Sequence, residues 1–362
     1  MHIVFFIGNM VAGGGGEKVL SMLANYYCEK GNDVDIALLL RNKVDRSHFG
    51  LNGKITIIDL SPKRSGSYWK NVIPWLLRIR KYVKETNPDA IVSFFGRINA
   101  LVLTALRGLK FPIVISERND PKNDRRGKIM YYYCRWIYKY ASAIIFQTSY
   151  QQNCFPLNCR KNSYIIPNPL VILPQSNEPE TKGLIVTVGR LNSQKNHKML
   201  IDAISIVQKR YPSIQCNIYG EGELRVELQN IIDSKKLSDV VHLEGKKSNV
   251  LDYVSKASVF VMSSDREGLS NALMEAMMLG KVCISTDYPG VEDIIEEEKT
   301  GYIVPRRNAE LMANKILEVL SDSAKKNSAI KDNSRAKMLG YDTVNILDKW
   351  NKVLNDLIEN KV

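Results

Sequence analysis

A chain of 362 residues is longer than one hydrophobic core comfortably organises, so two domains are expected. Its 44% hydrophobic and 25% charged residues exclude a disordered or collagen-like polymer. The formal charge of +13 is unevenly placed: residues 1–172 carry 25 Lys and Arg against 11 Asp and Glu, and the remainder 26 against 27.

The N-terminus, MHIVFFIGNMVAGGGGEK, lacks a basic leader and reads as a strand, His2–Ile7, running into a glycine loop rather than as a signal peptide. Further strand-like runs fall at Val34–Leu40, Ile55–Asp59, Ala90–Phe95, Ile113–Ser116 and Ala143–Gln147, with helical patterns between most of them. A proline-rich stretch, IIPNPLVILPQSNEPETKG, interrupts the alternation. It resumes at Leu184–Val188, Gln215–Tyr219, Val240–Leu243, Val259–Met262 and Val282–Ser285. Strands alternating with helices predict parallel sheets, here formed twice. The expected organisation is an N-terminal domain over 1–168, a linker over 169–182 and a second domain over 183–341. A last helix over 342–360 places Ile346, Leu347, Trp350, Val353, Leu354 and Leu357 on one face, suited to packing back on the first domain. No run is long and apolar enough to span a bilayer, and the six cysteines form no C-x-x-C pair, which predicts reduced thiols.

The basic excess of the first half implies an anionic partner. Residues 63–84 and 125–140 mix Lys and Arg with Trp and Tyr, a composition suited to a bilayer interface. The plainer reading is two domain helices with solvated basic side chains. Nucleic acid is not expected as a partner, because no helix-turn-helix, zinc-finger or RNP signature is present.

Ligands of open parallel sheets bind beyond the carboxyl ends of the strands, so a cleft between two such edges is the expected site. After the first strand, AGGGGEKVL would let the backbone approach an anion at a helix N-terminus, although any tight strand–helix turn uses glycine. It does not fit G-x-G-x-x-G, Leu40-Arg41-Asn42 supplies no acid for a ribose, and no Gly-Lys-Ser/Thr follows. Dinucleotide and P-loop sites are therefore disfavoured. Asp33-Val34-Asp35 starts a strand, away from the ligand edge, and is read as structural.

In VGRLNSQKNH, Arg190 and Lys195 follow a strand, where two cations could neutralise a departing phosphate. In DREGLSNALMEAMMLGK, Glu267 precedes a helix capped by Ser270 or Asn271. The N–H groups of Leu269, Ser270 and Asn271 suit a diphosphate, and Glu275 could hold a ribose. The plainer reading is an amphipathic helix with an exposed acid at each end.

These segments, with YGEGELRVELQ, LEGKKSNV, STDYPGVEDII and the Gly14-Gly15-Gly16-Glu17-Lys18 form of the first loop, resemble the family-4 glycosyltransferases over nearly the whole chain. The resemblance implies an α/β protein of the GT-B type, two Rossmann-like domains with parallel sheets facing across a cleft. It also implies retaining transfer of a sugar from a nucleotide-sugar donor, UDP-linked rather than GDP-linked by family branch, with neither cofactor nor metal. Arg190 and Lys195 would hold the diphosphate and Glu267 the transferred sugar. Gly268, Leu269, Ser270 and Asn271 would meet sugar and phosphates, Glu275 the ribose, Gly14 and Gly15 the phosphate, and the backbone from Lys246 to Val250 the base. On the acceptor side stand Asn99, Arg118 and Asn119. Arg118 falls where many relatives carry His, with a phosphate, an acceptor pyrophosphate or a salt bridge as its open partners. The implied acceptor is a lipid-linked pyrophosphoryl glycan for a bacterial surface polysaccharide, met by a cytoplasmic enzyme at the anionic inner membrane face. Two alternatives are a sugar-nucleotide epimerase or hydrolase, which lacks this context around Glu267 and Glu275, and an inactive binding scaffold. Against the scaffold stands the joint presence of Arg190, Lys195, Glu267 and Glu275.

Overall fold

The computed structural model describes residues 1–10, 15–40, 44, 46–62, 68–123, 127–172, 179–322 and 324–359. Gly14 lies outside them. The chain forms two compact units, Met1–Pro169 with Val344–Val362, and Leu170–Thr343.

The first unit is built on β1 (His2–Ile7), β2 (Asp33–Leu38), β3 (Thr56–Asp59), β4 (Ala90–Phe94), β5 (Ile113–Ser116), β6 (Ala143–Phe146) and β7 (Ser163–Ile165). All pair in parallel, in the order β3-β2-β1-β4-β5-β6-β7. The central strands are nearly continuous apolar runs because helices cover both faces of the sheet. One face packs on the helices Gly15–Glu29 and Thr343–Glu359, the other on Tyr68–Thr86, Gly96–Leu106 and Lys128–Ile137.

The second unit carries β8 (Thr181–Val188), β9 (Gln215–Tyr219), β10 (Val241–Gly245), β11 (Ala257–Met262), β12 (Val282–Thr286) and β13 (Tyr302–Val304), in the order β10-β9-β8-β11-β12-β13 and again parallel. In each sheet the order reverses beside the unit's first strand, between β1 and β4 and between β8 and β11. In doubly wound sheets such a reversal marks the carboxyl-edge position where ligands bind.

Periodicity alone does not predict β7 and β13. Each has three residues, and β7 is a half-exposed edge strand, so neither shows a repeat. Leu170, within the expected linker, is buried; its N–H donates to the Tyr341 carbonyl and its own carbonyl accepts from the Thr343 N–H. β8 starts at Thr181, inside the same expected linker, and residues 173–178 lie outside the described ones.

The helix Thr343–Glu359 buries Ile346, Leu347, Trp350, Val353 and Leu354 in the core of the first unit. The Trp350 ring lies 6.0 Å from that of Phe94 at an interplanar angle of 11°. Full burial of such side chains is worth ~2 kcal/mol each, so apolar area anchors the C-terminal segment to the N-terminal unit. Asp35 starts its strand with its carboxylate bound to His2 Nε2 at 2.8 Å and to the Tyr82 hydroxyl, a structural role. All six cysteines are buried and free. Among the described residues no helix is long and apolar enough to cross a membrane.

Candidate active site

The loops after β8 and β11 lie side by side because those strands are paired. They are laced together by hydrogen bonds. The Asp265 N–H donates to the Gln194 carbonyl at 2.9 Å, Gln194 Nε2 to the Arg266 carbonyl at 2.9 Å, and Ser263 Oγ to the Lys195 carbonyl at 2.9 Å. A third loop braces them. Gly220, with φ +141°, turns the chain after β9 so closely that a Cβ would lie 1.9 Å from the Gly189 carbonyl oxygen. The Leu191 N–H then bonds the Glu221 carbonyl at 3.0 Å. The sequence YGEGE therefore supports the loop that carries Arg190 and Lys195.

In this frame Lys195 Nζ stands 2.8 Å from Glu267 Oε1, with side chains only 15% and 10% exposed. The approach is an ion pair without hydrogen-bond alignment, and Glu267 Oε2 takes a long 3.4 Å bond from Gln194 Nε2. Glu267 is buried, unlike the exposed acid of the plainer reading. Arg190 extends into solvent beyond the end of β8 and, among the described residues, pairs with no carboxylate.

Of the two cap candidates the structure uses Ser270, whose Oγ accepts the Leu273 N–H at 3.4 Å. The helix Asn271–Met278 then runs away from the site and carries Glu275 on a half-buried face. Gly268 and Leu269 form the turn between Glu267 and the cap, with Leu269 buried in the core. Lys246 to Asn249 form the loop between β10 and the helix Val250–Ser255.

Two buried residues join this site without a sequence signal. Tyr288, in STDYPG, lies wholly inside, its hydroxyl without a hydrogen-bond partner among the described residues. Burial, then the charges of Glu267 and Glu292, push its pKa well above the usual tyrosine range, so it stays a neutral donor beside Glu267. His197 opens the helix His197–Arg210, buried. Desolvation and the Lys195 charge lower its pKa to about 4, so it is neutral at physiological pH.

In the first unit, Asn99 is wholly buried and spends its amide N–H groups on the Ser116 carbonyl at 2.9 Å and the Tyr138 hydroxyl at 3.1 Å. Asn119 is exposed, and its carbonyl accepts Gln151 Nε2. Arg118 is 5% exposed. Its Nη1 donates to Asn168 Oδ1 at 2.8 Å, and the guanidinium lies 5.1 Å from the Phe94 ring and 5.6 Å from that of Trp350. Nε and Nη2 have no hydrogen-bond partner among the described residues, and within them no carboxylate reaches the guanidinium as a salt bridge. Burial lowers its pKa to about 9, while the Glu117 carboxylate opposes the shift.

Gly15 opens the helix Gly15–Glu29, and the adjoining Gly16 faces the Phe95 ring so closely that a Cβ would lie 2.3 Å from Cζ. Phe95 adopts φ +71°, a strained conformation for an aromatic residue, where β4 ends. Among the described residues no three His, Cys, Asp or Glu side chains group as metal ligands.

The carboxyl edges of doubly wound sheets, a buried ion pair and a capped helix suit a phosphorylated ligand. The profile described as Glycosyltransferase Family 4 matches residues 13–170, and that described as Glycosyl transferases group 1 matches residues 171–337. A Haemophilus influenzae glycosyltransferase is 26% identical over 360 residues, 97% of this chain and 99% of that protein. A Campylobacter jejuni alpha-1,4-N-acetyl-D-galactosaminyltransferase, named for a PP-undecaprenol-linked saccharide, is 26% identical over 365 residues, 99% of each. Anabaena HepE, in a crystal structure with UDP and glucose, superposes with a TM-score of 0.82 at 17% identity, over 98% of this chain and 100% of that one, a likeness of fold. With both profiles matched in succession and the two doubly wound sheets in place, the chain belongs to the family-4 glycosyltransferases and has the GT-B fold.

Proposed function

We propose that the chain is a retaining, metal-independent hexosyltransferase. It moves a sugar from a UDP-linked donor to a hydroxyl of a lipid-linked glycan during bacterial surface polysaccharide synthesis. The observation that carries this reading is the Lys195–Glu267 pair, held at 2.8 Å beside the N-terminus of the helix Asn271–Met278. The pair fixes a cation where a donor diphosphate is to sit. Arg190 supplies a second positive charge, and the first-turn N–H groups of the helix a partial one.

When the sugar–phosphate bond breaks, negative charge grows on the departing phosphate oxygen. Lys195 is pre-placed to stabilise it and the exposed Arg190 adds a second charge from the same loop, which replaces the charge a divalent ion would otherwise supply. Glu267 orients Lys195 and stands ready to hydrogen-bond sugar hydroxyls, with the neutral Tyr288 behind it. Glu275, farther along the same helix, is assigned to the ribose. The proton of the acceptor hydroxyl passes to the leaving phosphate oxygen on the same face of the sugar, so the anomeric configuration is kept and positioning dominates the rate.

The Campylobacter relative, named for a PP-undecaprenol-linked saccharide, and the basic first half of this chain support a lipid-linked pyrophosphoryl acceptor at the cytoplasmic face of the membrane. The test is transfer from a panel of UDP-sugars to a polyprenyl-diphosphate-linked saccharide, with the product anomer read by NMR. Product with the donor's configuration, formed in EDTA, is the expected result. Inverted product, or strict dependence on a divalent metal, contradicts the proposal.

A further inference from the structure

Three helices cover one face of the first unit's sheet. The middle one, Gly96–Leu106, is buried along nearly its whole length by its neighbours. The outer two turn an unusual surface to solvent. On Lys128–Ile137 and the short turn Tyr138–Tyr140 that follows, Ile129 is 80% exposed and Tyr132 65%, with Trp136 and Tyr140 also exposed. These positions recur at helical spacing opposite the buried Met130, Cys134 and Ile137. On Tyr68–Thr86 the outward stripe begins with Ile73 and Leu77, exposed by 69% and 65%, and continues to Lys81 and Lys84.

Charge accompanies the apolar groups. The helix Lys128–Ile137 holds no acid at all. Cations are seated on its rings: the Arg107 guanidinium lies 5.4 Å from Trp136 and 4.8 Å from Tyr140, and Lys139 Nζ lies 5.3 Å and 5.1 Å from the same two rings. The Tyr140 hydroxyl also accepts Arg107 Nη2 at 3.2 Å. An ordinary domain surface avoids exposing large side chains in this density. Aromatic rings with cations stacked on them suit the headgroup layer of a bilayer, where rings meet acyl chains and cations reach lipid phosphates.

We propose that this flank of the N-terminal unit is the membrane-docking face. Ile129, Tyr132, Trp136 and Tyr140 enter the interface of an anionic bilayer, and Arg107 and Lys139 bind the headgroup phosphates around them. The occupant is a lipid surface rather than a protein because the patch seats cations on the exposed Trp136 and Tyr140 rings and lies in the half of the chain that carries the whole positive excess. The inference deepens the proposed transfer to a lipid-linked acceptor and rests on it for its purpose, while binding is measured separately from transfer.

The experiment is co-sedimentation of the full chain with vesicles of phosphatidylcholine alone and of phosphatidylcholine with phosphatidylglycerol, at low and high salt. Binding to the anionic vesicles alone, weakened by salt, is expected. Trp136→Ser with Tyr132→Ser should lower partitioning at least ten-fold, and Lys139→Glu roughly five-fold or more for the lost charge. Both leave buried residues untouched, and UDP titration of each variant reports that the chain is folded and the donor site intact. Val226→Ser, at an exposed site in the second unit, should change nothing. Equal binding to both vesicle types, unchanged binding by the aromatic variants, or no binding by a chain that still takes UDP overturns the proposal. Loss of UDP binding by the unaltered chain would instead count against the donor-site reading.

Discussion

Arg118 is a guanidinium enclosed by Phe94, Trp350 and Asn168, with two of its nitrogens unpartnered among the described residues. Burying such a group with no salt bridge among the described residues is costly; the charge of the neighbouring Glu117 offsets only part of that cost, and an apolar replacement of similar length removes it. Arg118→Met is therefore expected to leave the melting temperature unchanged or raise it while lowering transfer to the lipid-linked acceptor by ten-fold or more. Arg118→Lys is expected not to rescue it, since an ammonium lacks the planar guanidinium that contacts both rings. Loss of stability in Arg118→Met would make the residue structural. His197 gives a pH signature. Its pKa falls from 6.5 towards about 4 on burial, so the unfolded chain binds the proton more readily. Stability held above pH 6.5 drains away as pH falls towards 4, by on the order of 3 kcal/mol. Thermal unfolding across that window should flatten in His197→Gln, and an unchanged slope would assign the acid sensitivity to other groups. At Gly220, where a Cβ would meet the Gly189 carbonyl, Gly220→Ala should cost at least ~1 kcal/mol and weaken UDP binding, both read on one sample by unfolding and calorimetry.

At the scale of elements, the C-terminal helix has the clearest consequence. Trp350 is fully buried in the N-terminal unit, and Trp350→Ala should cost ~3–5 kcal/mol, with the loss appearing in the unfolding of that unit. A smaller cost would mean that the helix is held by something other than apolar packing. That helix was legible because Ile346, Leu347, Trp350, Val353 and Leu354 repeat at 3.6 residues. The longer strands were legible because each is a continuous apolar run bounded by turns. β7 and β13, with three residues each, carry no period, and their place at the sheet edges is decided by their neighbours. The candidate site divides in the same way. Arg190, Lys195 and Glu267 stand out as charged residues just beyond strands. The ion pair between Lys195 and Glu267 depends on β8 lying beside β11, which no local pattern encodes. Tyr288 and the strained Phe95 were invisible for a related reason: burial of a hydroxyl and a positive φ are properties of the packed chain.

For the molecule as a whole, charge and chemistry are divided. The first half carries the positive excess and the proposed docking face, and the second half, near neutrality, carries the buried ion pair proposed to hold the donor. Salt should therefore weaken vesicle binding far more than nucleotide binding, because the exposed cations are screened and the buried pair is not. The central claim is that Lys195, set by Glu267, is the metal-free anchor of a donor diphosphate. Calorimetric titration of the purified chain with UDP in EDTA, alongside Lys195→Ala, tests it most directly. Binding in EDTA that falls by about a hundred-fold in Lys195→Ala, as expected for a charge-assisted contact in a water-poor site, is the predicted result. UDP binding that requires a divalent metal, or that survives Lys195→Ala unchanged, would contradict the account.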